Sequence, residues 1–78
     1  LKTNKSISIG DRVKFYDSQQ ATIDRDYSGT NSKHFPIGKV IDVYDYKSCF
    51  GYTDRVCDIL IGERISKAHF VSVVEVVS

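Results

Sequence analysis

Twenty consecutive residues, Asp17 to Pro36, carry only four apolar or aromatic side chains, Ala21, Ile23, Tyr27 and Phe35, among Asp, Ser, Thr, Asn, Gln and Gly. Any core has to come from the fewer than sixty residues that flank this stretch. In a chain of 78 residues that leaves room for one domain, 1–78, with one small core. A second domain is excluded. So is a disordered or fibrous chain, because 41% hydrophobic and 12% aromatic residues with five Gly and one Pro is a globular balance. The polar stretch reads as a long loop with a short extended piece over Ala21-Thr22-Ile23-Asp24. Loops of that length in a compact domain are uncommon and serve function or move.

The flanking residues follow a period of two. Ile7, Ile9, Val13 and Phe15 fall on odd positions either side of Gly10-Asp11, which predicts strand, turn and strand between Ile7 and Tyr16. Ile37 to Tyr46 is β-branched and aromatic and reads as a strand. Lys47 to Asp54 reads as a hairpin connection, Arg55 to Ile61 as the next strand, and Gly62-Glu63 as a turn. Arg64 to Ser66 is a short strand leading into one helical or 3₁₀ turn over Lys67 to Phe70. Val71 to Val77 is the most strand-like segment, since Val is stiff at χ1 and packs well on a pleated surface. It reads as closing the sheet with both faces covered, partly by Ile7 and Ile9. Residues 1–6 read as a flexible N-terminal segment. The expected architecture is all-β: five short strands curled into a small, partly open barrel, which hides edges and shares one interior.

Eleven basic against ten acidic side chains give a formal charge of +1, too little for nucleic-acid attraction by bulk charge alone. The charge is uneven. Seven basic and four acidic residues in 1–39 make +3, and the remainder carries −2, a weak pull toward an anionic partner. No apolar run reaches the roughly 18 residues of a membrane span, and the opening residues lack the apolar core of a signal peptide. A cytoplasmic protein is the default expectation. The start at Leu1 and the absence of Met suggest that an initiator or leader has been trimmed. Two cysteines are too few to staple a secreted scaffold.

Ile9-Gly10-Asp11-Arg12-Val13-Lys14-Phe15, followed by Gly38-Lys39-Val40-Ile41-Asp42-Val43, resembles the G-D-x-V-x-V … G-x-V-x-x-V pattern of SH3-like barrels, especially the KOW-type modules of ribosomal proteins and transcription elongation factors. Ile65 to Val71 is similar to the short turn before the final strand of such barrels. The matched pieces cover about half of the chain. The resemblance implies an SH3-like barrel and contact with nucleic acid or a nucleoprotein machine. The chain departs from the pattern in one place: the family joins its first two strands through a short Gly-containing loop. A fainter likeness is to small stand-alone SH3-like proteins of tailed phages.

Basic and aromatic groups interleave in the loop and beyond it, at Arg25, Tyr27, Lys33, His34, Phe35 and Lys39, with Tyr44, Tyr46 and Lys47 as an extension. Cations meet phosphates, and unpaired bases stack on aromatic faces for about 1–3 kcal/mol each. The bland reading is a solvated loop that Phe35 and Tyr27 pin to the core, with Asp24 and Asp26 repelling phosphate. Five tyrosines also suit a protein-binding surface, or serve as filling and cross-strand pairs. Without a Trp, proline-rich ligands are not expected. Cys49, Cys57, His34 and His69 include no Cys-x₂₋₄-Cys pair and no close histidines, so neither metal nor cofactor is expected. A disulfide between the two cysteines is geometrically open in an oxidising setting, but buried or half-buried thiols are the expected state. No catalytic motif occurs. The expectation is a non-catalytic, monomeric binding module for nucleic acid or a nucleoprotein complex. The alternative is a protein-binding adaptor or inhibitor, phage-encoded and aimed at a host factor.

Overall fold

The computed structural model describes residues 7–77, so the expected flexible segment over 1–6 lies outside the described residues. Five strands form one antiparallel sheet: β1 Arg12–Lys14, β2 Ile37–Lys47, β3 Thr53–Ile61, β4 Arg64–Phe70 and β5 Glu75–Val76. Their order is β4-β3-β2-β1-β5, an all-β, partly open barrel. A seven-residue helix, α1 (Ser18–Asp24), and a 3₁₀ turn, Ser32–His34, lie between β1 and β2; a second 3₁₀ turn, Val71–Val73, precedes β5.

The core is one cluster of Ile7, Val13, Phe15, Val40, Cys57, Ile59, Val71 and Val74, with Val43, Ile61 and Val76 packed against it. The alternation explains Ile7, Val13 and Phe15. Ile9 departs from it and is 65% exposed, because the chain turns at Gly10 (φ +99°) before pairing starts at Arg12. Gly38 is required by contact: a Cβ there would collide with the Ile59 side chain and sit 2.8 Å from the Leu60 carbonyl oxygen.

Three expectations need correction. The polar stretch is not a bare loop. Asp17 caps α1 by accepting a hydrogen bond from the Gln20 amide at 3.3 Å, Gln20 donates to Asp24 at 3.0 Å, and Ala21 buries itself completely. The helix ends at Arg25 in the left-handed region (φ +53°), where the Asp26 amide reaches back to Ala21 O at 3.1 Å. Second, β4 runs through to Phe70, and the 3₁₀ turn comes one step later, at Val71–Val73. Third, the Val-rich end is mostly not strand. Val71 and Val74 are buried, Val73 points outward, and only Glu75 and Val76 pair with β1. Cys49 stands exposed in the β2–β3 connection and Cys57 is buried in the core; both are free thiols.

Candidate functional site

β4 and β5 end the sheet on opposite sides, and among the described residues they do not pair with each other. The seam between them opens into a cleft of about 640 Å³. Lys14, Phe15 and Tyr16 form one wall and Lys67 to Phe70 the other, with Phe35 above and Val73 to Glu75 at the side.

Local chemistry builds both walls. The Asp17 carboxylate is buried at the start of α1, and Arg64, at the head of β4, grips both of its oxygens at 2.6 and 3.4 Å while reaching Gln19 at 2.9 Å. Asp17 N–H donates to His34 O at 2.7 Å, which ties the two ends of the connection together. Tyr16 is thereby held against Phe35, ring centroids 5.3 Å apart. On the other wall the β3–β4 register slips between Ser66 and His69, a bulge that leaves Ala68 left-handed (φ +60°). Asp58 Oδ1 holds this bulge by accepting from the Ala68 amide at 2.9 Å and from the Tyr44 hydroxyl at 2.8 Å. Past the bulge, His69 turns inward, packs edge-on to Phe15 at 4.9 Å and contacts the Ser66 hydroxyl. Burial lowers the His69 pKa, against the opposing charges of Asp17 and Asp58, and so favours the neutral ring. The cleft thus carries four partly exposed rings, Tyr16, Phe35, His69 and Phe70. The Lys14 and Lys67 side chains have no ion-pair or hydrogen-bond partner among the described residues.

The residues singled out from the sequence do not gather at this cleft. Phe35 alone lines the cleft. His34 is 0% exposed; its Nε2 lies 2.7 Å from Asp24 Oδ2 and its Nδ1 has no partner, so its ring is structural and offers nothing to a ligand. Lys33 is paired with Asp24 at 3.9 Å. Arg25 closes the end of α1, and Tyr27 projects from the following turn. Lys39 lies on an outer face of β2, opposite Arg12. Tyr44 is bonded to Asp58, which raises its pKa; Tyr46 and Lys47 follow at the far end of β2. Lys14, Lys67 and His69 were missed, and no local signal marks them, because β1 and β4 meet at the seam only through the fold. Among the described residues no group of three or more His, Cys, Asp or Glu is placed to hold a metal ion, and no helix is long and apolar enough to cross a membrane. Neither a family model, a curated protein nor a solved structure matches this chain, so the site is read from its geometry.

Proposed function

We propose that the chain is a non-catalytic SH3-like binding module that takes single-stranded nucleic acid, free or within a nucleoprotein complex, into the seam cleft. The strand order and the short 3₁₀ turn before the last strand support the SH3-like reading; the long β1–β2 connection is where the chain departs from that pattern. One observation carries the function: Lys14 and Lys67, neither in a side-chain ion pair among the described residues, line one cleft with four partly exposed rings. Phosphates need cations and splayed bases need ring faces, and a duplex offers its bases to neither.

Titration of the labelled protein with oligothymidylate at low salt tests this. Amide shifts should concentrate at Lys14, Tyr16, Phe35, His69 and Phe70. Replacing Lys14 and Lys67 together with Ala should weaken binding and flatten the slope of log K against log salt by about 0.7 per lysine. An absence of cleft shifts with both oligodeoxythymidylate and oligouridylate would sink the reading.

A protein partner is the second reading. Phe70, 45% exposed, joins the cleft to a smaller recess of about 270 Å³ lined by Ile7, Val43 and Val71 with Asp54, Arg55 and Ser72, a mixed apolar and polar surface suited to a protein. Retention of a partner after nuclease treatment favours this reading over the first.

A further inference from the structure

The bulge in β2 creates a charge pattern on the outer face of the sheet. Lys39 pairs with Leu60 and Asp42 pairs with Asp58, and Leu60 and Asp58, two apart on β3, share a face. Lys39 and Asp42, three apart, would lie on opposite faces of a regular strand. The extra residue at Ile41 puts them on the same one.

Each then stands opposite a like charge. Lys39 faces Arg12 across β1–β2, and Asp42 faces Asp58 across β2–β3. Like charges directly opposite destabilise a sheet. Among the described residues, Arg12, Lys39 and Asp42 have no side-chain hydrogen bond or ion pair to offset this. Asp54, opposite Tyr46, extends the acidic end, while Lys14, two residues from Arg12, stands opposite Glu75 and adds no net charge. Beside the junction, Leu60 and Ile65 face each other with 36% and 49% of their surfaces exposed. The face is thus basic at one end, acidic at the other and apolar alongside the middle.

We infer that this face docks on a second copy of the chain. A two-fold axis lying along the face, perpendicular to β2, sets Lys39 of each copy against Asp42 of the other, with Arg12 and Asp58 flanking on either side of β2. Each like-charge pair then meets an opposite charge in one self-complementary contact. A generic acidic partner would satisfy the basic end and leave Asp42 and Asp58 opposed; a copy satisfies both. The contact is dominated by charge, so the dimer is weak and salt-sensitive. The monomer expected from the sequence is the high-salt form. This inference does not rest on the cleft, since neither Lys14 nor Lys67 needs to be changed to test it.

Sedimentation equilibrium is the test, with thermal melts confirming that each variant folds. The wild type should dimerise at about 0.01 M salt, where the screening length is near 30 Å, and dissociate at about 1 M, where it is near 3 Å. Lys39→Asp and Asp42→Lys should each be monomeric alone, and their equimolar mixture should recover the dimer, because each variant then meets opposite charge at both ends. A wild type that stays monomeric at millimolar concentration in low salt overturns the proposal. So do a Lys39→Asp variant that still dimerises and a mixture that stays monomeric.

Discussion

Arg64 and Asp17, 47 residues apart, are joined by a guanidinium–carboxylate contact of 2.6 Å in which the carboxylate is almost fully buried. The same carboxylate caps α1, so one ion pair fastens the β1–β2 connection to the β3–β4 hairpin. Removing Arg64 strands a buried anion; Arg64→Ala should cost about 3 kcal/mol in urea unfolding. Replacing both residues, Asp17→Ala with Arg64→Ala, should cost less than that single change plus the roughly 1 kcal/mol of a lost cap. Strict additivity in the double-mutant cycle would show that the pair is not coupled.

Gly38 is the one glycine whose added Cβ would meet neighbouring atoms within 4 Å. Gly38→Ala forces a methyl group toward Ile59 and Leu60 O, and should destabilise by about 1–3 kcal/mol through overpacking. Ile59→Ala removes the Cγ2 that the new methyl would strike, so the double variant should lose less than the sum of the two single changes. Chemical denaturation of the single and double variants measures both effects.

Acid should act on the molecule in two windows. His69 has a folded pKa below its ordinary 6.5, because burial disfavours the imidazolium. The unfolded chain therefore binds more protons, and stability present above 6.5 declines as pH falls through the lower folded value. Asp24 and Asp26 are both held below 3.8, Asp24 chiefly by the His34 hydrogen bond and Asp26 chiefly by Ser28. Their contribution is present above 3.8 and is lost as pH falls through their folded values. NMR titration should place the His69 ring shift below 6.5, and Asp24→Asn should remove part of the second step while leaving the first in place.

The two thiols should differ in reactivity. Burial, helped by the Asp58 charge, pushes the Cys57 thiol up to about 11, whereas Cys49 is exposed. An aromatic disulfide reagent should label one thiol per native chain and two after denaturation. Equal rates for both in the native protein would contradict the buried position of Cys57.

The β strands were legible because their burial alternates with the chain: Val13 and Phe15 inward, Arg12 and Lys14 outward. The short helix was not, since only Ala21 of its seven residues is buried and one buried position sets up no periodicity. Its signal is the cap, Asp17 followed three residues later by Gln20. The misplaced 3₁₀ turn has a tertiary cause. The Asp58 carboxylate holds Ala68 in a bulge, so that the strand continues where the local residues suggested a turn. Phe35, singled out from its aromatic, cation-rich neighbourhood, lines the cleft. Lys14, Lys67 and His69 were not legible as cleft residues, because they become neighbours only when the two end strands fold toward each other without joining.

An unclosed barrel exposes the raw border of a strand, which invites a foreign chain to zip onto it. In β4 that border is broken by the left-handed Ala68, whose amide is already committed to Asp58. A row of backbone donors interrupted in this way makes a poor template for cross-β growth. The bulge lets the sheet stay unclosed between β4 and β5 without becoming the seed of its own fibre.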